Sequence, residues 1–315
     1  MTLPTRTLGR TGVEVSVLGY GAMELRGQLT DTPSPLNGPA ITDEDAGRLL
    51  HELLDSGVNL IDTSVDYGRS EELIGRHLSS RRGEFFLASK CGCPVSAPTD
   101  SVTMGEHDYS AANVRADVEQ SLVRLQSDYL DLVEVHLSPS RSEMEARGTI
   151  EELDRLREEG KVRFIGMSGT LPNLPEQIDM GVFDVFQIPY SALQPEHDEL
   201  ILRAAAAGAG VLIRGGTARG TASEDKNWSV QPLSASGPAA HDRWQAAELD
   251  ELLDDGMSPH EFILRFTLSH PGMSSTIVGT SSPEHVRSNV AIASSGPLSE
   301  DVYAEARRKL GLPPA

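Results

Sequence analysis

Apolar positions along this chain follow two periods that take turns from about residue 15 onward. Short runs rich in β-branched residues fit strands, and the longer stretches between them, apolar every three to four residues, fit one face of a helix. Strands are expected at 17–20, 59–62, 85–89, 130–136, 162–167, 185–189, 211–214 and 275–278, and helices at 43–56, 71–78, 111–125, 150–159, 174–179, 196–207, 259–268 and 283–293. Strict strand–helix alternation implies a parallel sheet, and eight units close into a (β/α)8 TIM barrel. Local chemistry agrees. Thr42 stands ahead of Asp43 and Glu44 as an N-cap, Ser282 precedes Pro283 at a first helical position, and Gly57, Gly160 and Gly208 fall just past helix ends.

Three features lie outside the eightfold pattern. The segment LGRTGVEVS reads as an N-terminal β-hairpin turning at Gly12, placed to floor the barrel. Extra helices are expected at 244–253 and 300–310. The segments 92–109 and 215–241, rich in Ser, Pro, Gly and Ala, follow the third and seventh strands on the face where barrel enzymes keep their sites. No short-period repeat or linker divides the chain, so residues 1–315 are read as one barrel domain.

Composition narrows the partners. A net charge of -20 without a basic stripe repels nucleic acid and anionic membranes. Two cysteines rule out a disulfide framework and favour a reducing compartment, and no run is long and apolar enough for export or a membrane span. The expectation is a cytoplasmic protein acting on a small molecule, monomeric because no heptad or apolar stripe marks an interface.

Polar residues gather at the predicted strand ends. Asp62 ends the second strand in GVNLIDTSVDYG, with Tyr67 in the following loop; Lys90 ends the third in FFLASKCG; His136 ends the fourth in LDLVEVHLSP. Side chains at those ends converge on one pocket in a (β/α)8 barrel. A tyrosine hydroxyl titrates at about pH 10, too weak an acid for ready donation at neutrality, so Tyr67 as general acid needs a cation such as Lys90 beside it. Asp62 would hold that cation, and His136 would hydrogen-bond and orient a carbonyl oxygen.

In these four residues, and in LGRTGVEVSVLGYGAM, GKVRFIGMSG, FDVFQIPYSALQP and IVGTSSPEHVRSN, the chain resembles the aldo-keto reductases over nearly its whole length. The resemblance implies reduction of an aldehyde or ketone with NADPH, with NADH as an alternative. It assigns Ser168 and Gln187 to the nicotinamide carboxamide and Tyr190 to stacking on the ring. Gly215 and Gly216 would approach the pyrophosphate, with charge from Arg214 or Arg219, and Gly279, Thr280, Ser281 and Asn289 would grip the adenosine end. Gly21, Gly220 and His285 complete the expected cofactor set.

The chain departs from the family pattern in three places. Gly169 follows Ser168 where Asn is common, Gly215, Gly216 and Thr217 replace Ser-Pro-Leu, and His285 and Gly279 stand where a basic residue usually pairs with the 2'-phosphate. Cys91 and Cys93, lacking Cys or His partners at ligand spacing, are expected to be free thiols at the pocket mouth, with no metal. Tyr109, Trp228 and Trp244 can line a pocket or cover apolar surface. Three other functions stay open: a nicotinamide-binding regulatory or redox-sensing subunit, alcohol oxidation or epimerisation on the same residues, and a barrel hydrolase or lyase.

Overall fold

The computed structural model describes residues 3–27, 41–93, 107–224, 226–228 and 240–314. Eight parallel strands close into a barrel: β3 (Leu18–Gly21), β4 (Leu60–Asp62), β5 (Phe86–Cys91), β6 (Leu130–Val135), β7 (Val162–Ser168), β8 (Val185–Pro189), β9 (Gly210–Arg214) and β10 (Ser275–Val278), with β10 pairing β3. Each expected strand is present within one or two residues of its expected limits. The hairpin of β1 (Thr5–Thr7) and β2 (Glu14–Ser16) is antiparallel and lies outside the closed sheet, its turn passing through Gly12 at φ 69°.

The pleat divides the barrel's apolar side chains into two cores. Ile61, Leu87, Val133, Ile165, Phe186, Val211 and Ile213 point outward and join the helices in one large cluster. Leu60, Phe86, Ala88, Leu132, Val185, Leu212 and Ile277 point inward and form a second, which Leu8 and Val15 of the hairpin region complete. The hairpin therefore floors the barrel with apolar side chains.

The surrounding helices are α1 (Asp43–Asp55), α2 (Ser70–Leu78), α3 (Ala111–Leu125), α4 (Arg141–Arg147), α5 (Thr149–Glu158), α6 (Leu174–Met180), α7 (Asp198–Ala206), α8 (Ala240–Ala246), α9 (Pro259–Leu268), α10 (Pro283–Ser294) and α11 (Glu300–Lys309). Thr42 and Ser282 accept hydrogen bonds from Asp45 and His285 N–H groups, as their cap roles require. One expected helix needs correction, and one helix was not expected. The helix expected at 244–253 is α8 followed by a separate 3-10 turn at Leu249–Leu252, because Glu248 takes a left-handed conformation at φ 49° that breaks the helix. Helix α4 is absent from the apolar pattern because Met144 is its one buried side chain; Ser140 starts it by accepting from Glu143 N.

Segments 94–106, 225 and 229–239 of the two long loops that follow the third and seventh barrel strands lie outside the described residues. The C-terminal α11 is held to the outer shell by Arg307, whose guanidinium donates to both Asp198 oxygens at 2.6 and 2.7 Å. No helix among the described residues is long and apolar enough to cross a membrane.

Candidate active site

Barrel register sets neighbouring strand ends side by side: Gly21 opposite Asp62, Asp62 opposite Ala88, and Lys90 opposite Glu134. The inward side chains at these upper positions are polar. Lys90, 1% exposed, donates from Nζ to Asp62 Oδ1 and Oδ2 at 2.7 and 2.8 Å and to the Thr63 carbonyl at 2.8 Å. Tyr67 follows β4 in the loop, its ring centroid 5.1 Å from Lys90 Nζ and 6.3 Å from the His136 ring, edge to face. The structure thus brings Asp62, Tyr67, Lys90 and His136 into one cluster at the C-terminal end of the barrel.

Burial and charge act against each other here. Burial alone would lower the Lys90 pKa, but Asp62, Tyr67 and Glu134 outweigh it and hold the ammonium protonated. Burial raises the Tyr67 phenol, Lys90 pulls it down, and Asp62 and Asp66 push it up again, leaving it above its ordinary value. Burial lowers the His136 pKa to about 3, so its imidazole is neutral through the physiological range.

Glu134, which was not among the expected residues, and Arg214, which was expected elsewhere, complete the cluster's charge. Glu134 is fully buried, with Oε2 3.9 Å from Lys90 Nζ and accepting from Gln187 Nε2 at 3.0 Å. Its signal was available: Glu134 lies two residues before His136 on a strand, hence on the same inward face. Arg214, expected near the phosphates, instead ends β9 within electrostatic reach of Tyr67, Glu134 and Asp62, and burial lowers its pKa.

The cofactor set divides. Ser168 and Gln187 do meet, Ser168 Oγ donating to Gln187 Oε1 at 3.3 Å, but Gln187 Nε2 is also committed to Asp62 Oδ1 at 3.0 Å, so this amide ties the two carboxylates together. Tyr190 is a correction. It is fully buried outside the barrel, its hydroxyl donating to Asp198 at 2.8 Å and its ring against His270 at 4.9 Å, so it faces away from the pocket. A tyrosine following a strand looks alike on either face, and here the outer core won.

A groove of about 860 Å³ runs along the seventh and eighth loops, lined by Arg219, Gly220, Lys226, Thr280, His285 and Asn289 among others. Gly279 also lines it, close enough to Gly21 that a side chain there would meet the Gly21 carbonyl. Gly215 has φ +73° and open space on its side-chain face, whereas Gly216 packs where a Cβ would lie 2.1 Å from Thr276 Oγ1. Gly216 is therefore required by packing, whereas Gly215 is favoured by its left-handed backbone. Ser281 precedes the cap of α10, at the edge of this groove. The volume, the cations Arg219 and Lys226, the His285 side chain and the start of α10 fit a dinucleotide phosphate.

Trp228 lines the groove, while Trp244 is core, packed at 5.6 Å edge-on to Phe262. Tyr109 is buried and donates to the His136 carbonyl at 2.9 Å. Neither thiol is at the pocket mouth as expected: Cys91 is buried in the outer core, and buried Cys93 sets Sγ 3.1 Å from His136 Nδ1.

Comparison with known proteins adds the lineage. The model of the Aldo/keto reductase family matches residues 17–310. The chain belongs to that family. It is similar to an L-galactose dehydrogenase of Arabidopsis thaliana, 29% identical with 91% of this chain and 86% of the relative covered. An uncharacterized oxidoreductase, YqkF, of Bacillus subtilis is 26% identical over 94% of this chain and 93% of its own. Among solved structures, the holo form of aldo-keto reductase AKR11C1 from Bacillus halodurans superposes with TM-score 0.79 at 26% identity, covering 98% of this chain and 96% of its own. Family membership carries oxidoreductase chemistry with a nicotinamide cofactor on a carbonyl compound.

Proposed function

We propose that this family member reduces an aldehyde or ketone of a small molecule to the alcohol, with Tyr67 as general acid and Asp62, Lys90 and His136 in support. The observation that carries the proposal is Lys90 Nζ, bonded to both Asp62 oxygens and lying 5.1 Å from the Tyr67 ring in one buried cluster. Tyr67 delivers its proton to the carbonyl oxygen. The Lys90 charge stabilises the phenolate left behind, and Asp62 keeps that charge in place. Burial, Asp62 and Asp66 keep the phenol protonated at neutrality, and the Lys90 charge is the one neighbour that pulls against them and eases release of the proton. His136, neutral, donates from a ring nitrogen to the same oxygen and orients it.

NADPH, with NADH second, supplies the hydride when bound. Ser168 would hold its carboxamide, Gly215 would admit its phosphates, and Arg219, Lys226 and His285 would favour its far, anionic end. All four reductase side chains come from one chain, so a monomer suffices, and two free thiols suit a reducing cytoplasm.

The test is titration with NADPH and NADH by quenching of intrinsic fluorescence, then nicotinamide absorbance with a panel of aldehydes and ketones. Carbonyl-dependent oxidation that disappears in Tyr67→Phe supports the reading. Binding without turnover across the panel favours a regulatory subunit, and binding of neither nucleotide overturns the proposal.

A further inference from the structure

We propose that Asp66, Cys93, His107 and His136 form a binding site for a zinc-class divalent transition-metal ion at the rim of the barrel, sharing His136 with the reductase cluster. Each of the four offers one ligand atom, and these atoms lie within 4.8 Å of one another. Cys93 Sγ is 3.1 Å and Asp66 Oδ2 3.8 Å from His136 Nδ1, and the His107 and His136 rings are 5.4 Å apart. A tetrahedral zinc ion holds sulfur at about 2.3 Å and nitrogen or oxygen at about 2.0–2.2 Å, so its ligand atoms stand roughly 3.3–3.7 Å apart. Side-chain rotations of an ångström or so bring this set there.

The donor chemistry selects the ion. One thiolate, two imidazoles and one carboxylate suit zinc, cobalt or ferrous iron, while sulfur and nitrogen disfavour calcium and magnesium. Thiolate and carboxylate together offset a divalent charge. Asp66 Oδ1 is buried with no hydrogen-bond partner among the described residues, so this carboxylate retains acceptor capacity.

The ligand-bearing backbone is already fixed. Asp117 Oδ2 accepts from Gly92 and Cys93 N–H at 2.8 and 3.1 Å, and Asn113 Nδ2 donates to the carbonyls of Cys93 and Asp108 at 2.9 and 2.8 Å. Asp108 N donates to the Gly92 carbonyl at 3.1 Å, which holds the chain beside His107 against the chain beside Cys93. His136 is held by its own N–H to Cys91 O at 3.0 Å and by Tyr109 at its carbonyl. Such outer hydrogen bonds orient ligands in metal sites.

Nδ1 is the His136 nitrogen turned toward Cys93 and Asp66. Ligation there leaves Nε2 carrying the ring proton on the opposite side, so the ion and a carbonyl oxygen can use the same imidazole at once. Metal binding stands without the reductase reading; only an effect on turnover rests on it.

The experiment is titration of tag-free, full-length, reduced protein with Co(II) under anaerobic conditions, followed by absorption. A thiolate-to-cobalt band in the near-ultraviolet that saturates at one equivalent and is displaced by Zn(II) is expected. Cys93→Ser should abolish that band, and His107→Gln and Asp66→Asn should each weaken binding roughly tenfold or more. Absence of a saturable band, or a band that survives Cys93→Ser, overturns the site. If Cys93→Ser does not fold, His107→Gln decides: unchanged Co(II) affinity overturns the proposal. Carbonyl reduction by the metal-free protein is measured in parallel, so a failed reductase reading and a failed metal site give separate results.

Discussion

The two ends of the barrel are built from the same strands and differ in almost everything else. At the lower end the inward positions are Leu60, Phe86, Ala88, Leu132, Val185 and Leu212, sealed by Leu8 and Val15. Two residues further along five of those strands the inward positions become Asp62, Lys90, Glu134, Gln187 and Arg214, linked by hydrogen bonds or close charge contacts. The lower end gains from burying apolar surface. The upper end bears the desolvation of several charges and recovers it only through mutual pairing. Polar side chains are thus confined to one end of the barrel axis, and a substitution at the floor should change stability alone, whereas one at the upper end can change both stability and chemistry.

The sharpest way to break the comparison is at Tyr67. Tyr67→Phe should lower kcat by about 10²–10⁴-fold while leaving nucleotide binding and the melting temperature close to wild type; near-normal turnover would remove Tyr67 from the mechanism. Asp62→Asn tests whether the upper end is held by pairing. It leaves the buried Lys90 charge without its main partner and should cost about 3–5 kcal/mol of stability together with activity, read by denaturant unfolding. Leu8→Ala is the matching change at the floor. A loss of about 2–5 kcal/mol with unchanged KM and kcat is expected, and altered kinetics would contradict the separation.

Smaller effects sharpen the picture at the groove. His285→Arg should shift the ratio of NADPH to NADH affinity toward NADPH by roughly tenfold, as a guanidinium pairs with phosphate; an unchanged ratio would place the 2'-phosphate elsewhere. The smallest effect concerns His197, which burial and then Arg214 lower from 6.5 to about 4. Its Nε2 accepts from the Leu171 N–H at 3.3 Å, which protonation would break. The unfolded chain takes up this proton near pH 6.5 and the folded chain only near pH 4, so stability should fall as pH drops through that window. His197→Gln should flatten that slope in thermal melts at pH 7, 5.5 and 4.5.

Much of this was legible along the chain. Alternation of two and 3.6 residues placed eight strands within a residue or two, because side-chain direction in a strand or helix is a local steric property. Asp62, Lys90 and His136 were legible for the same reason, each being a polar residue where an apolar strand ends. The same period would have exposed Glu134, and would have set Arg214, expected at the phosphates, on the inward face of its strand. Helix α4 escaped because a short helix with one buried residue leaves almost no periodic trace.

What the sequence by itself determined, then, is the order of the strands, the barrel, and the meeting of Asp62, Tyr67, Lys90 and His136 at one end of it. Tertiary structure alone decided that Tyr190 turns outward to Asp198 and Arg307, that Gln187 binds two carboxylates, and that Cys93 meets Asp66, His107 and His136. Those outcomes depend on which distant segments barrel closure makes adjacent and on which neighbour satisfies a buried polar atom best. Both are properties of the packed whole, to which no local period gives access.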